Sequence, residues 1–197
     1  MTQRKTEYTK LNYNSKDTEI TCSFTGYRPQ KLSFGFNENH PDCIRLKKVL
    51  RSEIIKLINS GYRYFQSGMA LGIDMICAEI VLELKEQYPQ IMLFAIIPCE
   101  NQTAGWNDSS ISRYNNILDK SDGSFLVTSG PYEKGCMQKR NRYLVDTAGA
   151  LLAVFDGKKG GTMNTVAYAD KMGKKLVVID PARFVRIEFF SQLNFDL

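Results

Sequence analysis

Residues 150–165 read ALLAVFDGKKGGTMNT, and this stretch decides the fold. Ala150–Phe155 is apolar without polar alternation, as a strand buried on both faces requires. Asp156 to Gly161 interrupt it with charged and glycine residues that favour a turn. Helical character resumes over Thr162–Met172. A buried strand that passes through a glycine-rich turn into a helix is one unit of a parallel α/β sheet.

The rest of the chain repeats the alternation. Glu19–Thr25 (EITCSFT) is rich in β-formers and predicts the first strand, which runs into the turn Gly26-Tyr27-Arg28-Pro29. Leu46, Val49, Leu50, Ile54, Leu57 and Ile58 follow helical spacing, and Asn59-Ser60-Gly61 ends that helix. Further strands are expected at Tyr62–Gln66, Ile91–Ile97, Ser124–Val127 and Lys175–Ile179. Helices fall at roughly Ile73–Gln87, Asn107–Lys120 and Glu133–Ala148. The predicted architecture is one Rossmann-like α/β domain over residues 19–180, with a mainly parallel sheet and helices on both faces. A polar extension, residues 1–18, precedes it.

An aromatic tail, residues 181–197, follows the domain. Val185, Ile187 and Phe189 alternate with Arg186 and Glu188, which suggests an added edge strand. Phe184, Phe190, Leu193 and Phe195 add more apolar mass than one surface strand carries. The tail is therefore expected to cover its own sheet edge or to join a symmetric homo-oligomer, the latter being preferred.

Composition narrows the function classes. The chain has 197 residues, 43% hydrophobic and 24% charged, in the range of an ordinary globular domain. Its longest apolar runs have strand length and are too short to span a bilayer, and the first residues lack the apolar core of a secretory signal. The cytoplasm is expected, without a membrane partner. Five widely spaced cysteines with no C-x-x-C pair, and a single histidine, give no common zinc pattern, so no metal is expected. The net charge of +5 is spread in short knots, so a nucleic-acid partner is possible but unsupported.

Three strand-to-helix junctions carry the candidate chemistry, all at the edge where open α/β sheets hold ligands. At Gly160-Gly161-Thr162-Met163-Asn164-Thr165, glycine allows close approach of a phosphate, and the helix start offers free N–H groups and a positive dipole end. Thr162, Asn164 and Thr165 add donors, although Gly and Thr also suit a plain capped helix. In Ser67-Gly68-Met69-Ala70-Leu71-Gly72-Ile73-Asp74, small residues again permit approach, and Asp74 either holds a ribose hydroxyl or caps the helix. In Thr25-Gly26-Tyr27-Arg28-Pro29, Arg28 offers a planar fork to a phosphate. Pro98 and Glu100 close the third strand at the same edge and join the candidates. No P-loop, G-x-G-x-x-G fingerprint or serine-hydrolase triad is present.

Together, in this order, the three loops resemble the SLOG superfamily of Rossmann-like proteins, and most closely its YpsA-like (DUF1273) branch, over roughly residues 20–180. The resemblance implies a sheet whose loops hold a nucleotide or nucleotide-derived ligand, such as an NAD or ADP-ribose relative, with no cofactor required. It also implies a basic residue facing the ligand from the helix that carries Arg140 and Arg142, where a solvated helix face is the equal alternative. The hydrolases of the superfamily look like P-G-G-x-G-T-x-x-E. Here the loop runs from Lys159 to Ala167 without an acid, which leaves the catalytic residue unknown. The function expected is binding, for sensing or sequestration. A nucleotide N-glycosidic or phosphoester hydrolase is the first alternative and a nucleic-acid-binding module the second.

Overall fold

A computed structural model describes residues 15–187. Seven strands form one sheet: β1 (Thr21–Gly26), β2 (Tyr64–Ser67), β3 (Met92–Ile97), β4 (Gly123–Leu126), β5 (Ala150–Val154), β6 (Lys175–Asp180) and β7 (Val185–Ile187). The helices are α1 (Ser15–Glu19), α2 (Pro41–Asn59), α3 (Ile73–Leu84), α4 (Asp108–Lys120), α5 (Cys136–Asp146) and α6 (Gly161–Lys171). The strand order is β4-β3-β2-β1-β5-β6-β7, and only β7 runs antiparallel to its neighbour. This is the expected α/β class.

The order has one reversal. From β1 the chain steps outward to β4, then returns through α5 to place β5 on the other side of β1. Right-handed crossovers in opposite directions put helices on opposite faces. Accordingly α2 packs on α3 and α3 on α4, while α5 packs on α6. The carboxyl ends of β1 and β5 therefore lie side by side with their following loops diverging, which is where such sheets open a crevice.

The buried strands explain their own sequences. Ala150 to Val154 are buried at every position, because helices cover both faces of β5. Phe24 and Phe65 stack across β1 and β2 at 5.9 Å, and both are fully buried together with Phe155, Leu46 and Leu50. Pro41 opens α2 while the ring of His40 accepts a hydrogen bond from the Asp42 amide. All five cysteines are buried and unpaired. No helix among the described residues is long and apolar enough to cross a membrane.

Most element ends shift by a few residues from the sequence reading, and three differences have a clear physical cause. The extension expected over 1–18 contains the single helical turn α1, closed by the Thr21 hydroxyl, which donates to the Asp17 carbonyl at 2.6 Å. Five residues are too few to show a helical period. Helix α5 begins at Cys136 rather than Glu133, because Gly135 turns left-handed at φ 97°. The edge strand of the tail is short: β7 pairs with β6 through Val185–Ile187 and fastens to α2, with Phe184 under Arg45 and Arg186 facing Glu53 at 3.8 Å. The tail thus covers its own sheet edge here. Phe189, Phe190, Leu193 and Phe195 lie outside the described residues.

Gly72 joins the two halves of the crevice floor. Its φ is 93°, and a Cβ there would sit 2.6 Å from the Tyr27 carbonyl oxygen. Gly72→Ala is therefore expected to lower stability in urea unfolding by about 1–3 kcal/mol, the usual cost of a side chain in that backbone region. Gly161→Ala, where a Cβ meets nothing within 4 Å, serves as the near-neutral control.

Candidate functional site

The crevice is built from three junctions: β1 into the short 3-10 turn Pro29–Lys31, β2 into α3, and β5 into α6. The first and third are tied directly together. The Thr162 hydroxyl donates to the Gly26 carbonyl at 3.2 Å, and the Tyr27 amide donates to the Val154 carbonyl at 3.3 Å. The Tyr27 hydroxyl also meets the Asp156 carboxylate.

Asp156 organises the β5–α6 turn. Its carboxylate accepts from the Lys158 ammonium at 2.6 Å and from the Lys158 amide at 3.2 Å. Partial burial works against its charge, but the hydrogen bonds from Lys158 and Tyr27 outweigh it and hold the carboxyl down to about 2. The turn then reaches Gly160, at φ 155° and ψ −174°, a combination that is essentially glycine-only. Helix α6 begins with no side-chain cap and no acid in its first turn. Its leading N–H groups and dipole end are left to favour an anion. The Lys31 ammonium lies 5.2 Å from the centre of the Tyr27 ring and 3.1 Å from where a Cβ on Gly160 would be.

The β2–α3 junction is organised from the opposite face of the sheet. Arg140 of α5 is 4% exposed and reaches through to Asp74, itself 6% exposed, with Nη1 3.1 Å from Oδ2. The same carboxylate oxygen accepts from the Ala70 amide at 3.3 Å. The Ser67 hydroxyl donates to the Asp74 carbonyl and accepts from the Met69 amide, and Gln102 donates to the Gly68 carbonyl at 2.9 Å. Burial raises the Asp74 pKa against the pull of Arg140, and burial likewise lowers that of Arg140. The buried Arg140 Nε has no hydrogen-bond partner among the described residues. Arg28 is exposed and close enough to act electrostatically on both Asp74 and Arg140.

These facts sort the predicted residues. Gly26, Arg28, Gly160, Gly161 and Thr162 share the β1/β5 crevice, and Asn164 is exposed one turn into α6. Thr25 is buried in β1. The other candidates face inward or take structural partners. Asp74 is turned inward rather than toward a ribose, its Oδ2 held by Arg140 and the Ala70 amide. The space beside Gly68 belongs to Arg140: a Cβ there would stand 1.2 Å from Nη1. Met69 is buried with φ 57°, and Ser67 and Ala70 are buried in the same loop. Thr165 is buried, donating to the Gly161 carbonyl at 2.9 Å and accepting from Asn141 at 3.0 Å.

Arg142 stacks over Tyr168 at 5.8 Å on the exposed side of α5, since two residues at about 100° each put it opposite Arg140. Pro98 is buried and Glu100 exposed after β3, on the far side of β2 from the β1/β5 reversal where the Gly160–Gly161 turn lies. Sequence reasoning missed Lys31, Tyr27 and Asp156 as organisers. Tyr27 and Asp156 stood inside quoted turns, but nothing local pairs residues 129 positions apart.

Comparisons with known proteins follow the same outline. A family model described as "YspA SLOG family" matches residues 22–182. A UPF0398 protein from Halalkalibacterium halodurans is 32% identical over 141 residues, covering 71% of this chain and 74% of that one. A UPF0398 protein from Bacillus thuringiensis (strain Al Hakam) is 30% identical over 148 residues, covering 75% and 80%. Among solved structures, DNA processing protein A from Helicobacter pylori, reported in a single-stranded DNA binding mode, superposes with TM-score 0.58 at 19% identity. It covers 86% of this chain and 74% of that one. DNA processing protein A from Streptococcus pneumoniae gives TM-score 0.53 at 16% identity, over 81% of this chain and half of the other. At these identities the two structures speak for the fold.

The buried pair makes a sharp expectation. Arg140→Met leaves Asp74 buried without its counter-ion and should cost about 3–5 kcal/mol at neutral pH in urea unfolding. Asp74→Asn in the same chain should recover most of that loss. Because the folded-state pKa of Asp74 is raised, its proton favours the folded state. The defect of the single Arg140→Met variant should therefore be smallest in acid and grow as pH rises.

Proposed function

The chain belongs to the YspA SLOG family, and on that premise we propose that it binds a nucleotide or nucleotide-derived ligand, such as an NAD or ADP-ribose relative, through its phosphate at the Gly160–Gly161 turn. One observation carries this reading. The uncapped, acid-free start of α6 opens at the β1/β5 reversal, with Lys31 beside it. A helix start of that kind favours a phosphate, and the neighbouring cations add to it. Asp156 pairs with Lys158 and Asp74 with Arg140, whereas neither Arg28 nor Lys31 forms an ion pair with a carboxylate among the described residues. The surplus charge is positive.

The reading is one of binding rather than cleavage. No acid occurs from Gly160 to Ala169, so α6 brings no proton-handling carboxylate beside a glycosidic bond. A second reading shares the phosphate chemistry: the Helicobacter pylori neighbour is described as binding single-stranded DNA. The solvent-exposed Lys158 and Lys159 beside the turn would suit such a strand.

Calorimetry and thermal shift with AMP, NAD and ADP-ribose test the reading. Gly161→Val should abolish binding while the fold persists, because its side chain enters space that no atom of the described residues occupies. Arg28→Ala should weaken binding by about 1.5–3 kcal/mol through loss of a charge-assisted contact. A folded Gly161→Val protein with undiminished affinity would remove the phosphate from this turn. Steeply salt-dependent binding of an oligonucleotide in preference to these compounds would favour the second reading.

A further inference from the structure

A cavity of about 210 Å³ opens beside the crevice, on the face of the sheet that carries α3 and α4. Pro29, Phe34 and Phe36 line one wall, Leu71, Gly72 and Ile76 another, and the start of α4 (Asn107, Ser109, Ser110) closes the far end with Arg113. Phe34 is buried, but Phe36 is 60% exposed at the mouth, an unusual position for a large apolar ring. The volume is below the roughly 300–1,000 Å³ of pockets that hold drug-sized ligands, and it suits a single ring system.

The charges around the cavity cancel. Arg113 donates through Nε to Glu79 at 2.7 Å and pairs also with Glu38, which takes Lys47 at 2.6 Å as well. Two acids face two bases, so the cavity offers no net field to a phosphate. What remains is a set of apolar walls, one exposed aromatic ring, and a polar end of hydroxyl and amide groups. That chemistry fits a flat, uncharged ring with hydrogen-bonding edges.

Arg28 links this cavity to the anion site. Gly72 forms part of the cavity wall, and the Cβ position of Gly72 lies 3.1 Å from Pro29 Cδ and 3.3 Å from Arg28 Cα. The guanidinium of the same Arg28 acts on Asp74 and Arg140 across the crevice floor. We infer that the cavity between the Phe34–Phe36 loop and the start of α4 receives the nucleobase of the ligand, so that base and phosphate are held on either side of Arg28. The inference rests on the phosphate reading above and adds to it the requirement for a base.

Calorimetry of the full chain with AMP, GMP, CMP, UMP, adenosine and ribose 5-phosphate tests it. At least one nucleoside monophosphate should bind about tenfold or more tightly than ribose 5-phosphate, the gain expected of one stacked base. Ser110→Trp, which fills the cavity, should remove that advantage and leave ribose 5-phosphate binding unchanged. Phe36→Ala, at an exposed position that the fold tolerates, should reduce the advantage without removing it. Equal affinity for all the phosphates, or an unaltered advantage in both folded variants, overturns the base pocket while the phosphate reading stands. If adenosine binds and Ser110→Trp abolishes it, but ribose 5-phosphate does not bind, the pocket stands and the phosphate reading falls. Binding of none of these compounds to the folded chain overturns both.

Discussion

The buried contact between Arg140 and Asp74 is the constraint around which the crevice is arranged. A guanidinium brought out of water needs a counter-ion, and Asp74 at 3.1 Å supplies one. The pair reaches from α5 on one face to the start of α3 on the other, past the carboxyl end of β2. Gly68 is thereby required to be glycine, because the guanidinium fills the place of its side chain. The Ala70 amide is drawn onto the same carboxylate, and Met69 is held at φ 57° between them. The loop that could have been a flexible ligand clamp is instead a packed support.

That support leaves the exposed charge of the crevice to other residues. With Asp74 paired to Arg140 and Gly68 filled, the exposed positive charge at the reversal comes from Arg28 and Lys31, which form no ion pair with an acid among the described residues. Asp156 meanwhile fixes the turn before α6, through Lys158 on one side and Tyr27 on the other. The start of α6 is thus held open by groups that do not block it. Rigid surroundings and unspent donors together lower the cost of binding an anion.

Much of the fold was legible in the chain. The apolar run at Ala150–Phe155 and the spacing of Leu46, Leu50, Ile54 and Leu57 follow from burial on two faces and on one, and both are local patterns. The three junctions were visible for the same reason, since glycine and proline mark turns wherever they stand. The site was legible only by position. Arg140 and Arg142 look alike in the sequence, yet one is the buried partner of Asp74 and the other stacks on Tyr168 in solvent. Which of them faces inward depends on the rotation of α5 against the sheet.

The sequence by itself determined the α/β class, the parallel order of its units and the three turns at one edge, because periodicity and turn chemistry act over a few residues. Only the tertiary structure decided what each turn does. The strand order puts β2 between the strand before Glu100 and the β1/β5 crevice, and it brings Tyr27 and Asp156 together across 129 positions. It also spends Asp74 on Arg140. Charge pairing and burial are set by distances across the fold, and a guanidinium or carboxylate takes its role from whichever neighbour the fold places beside it.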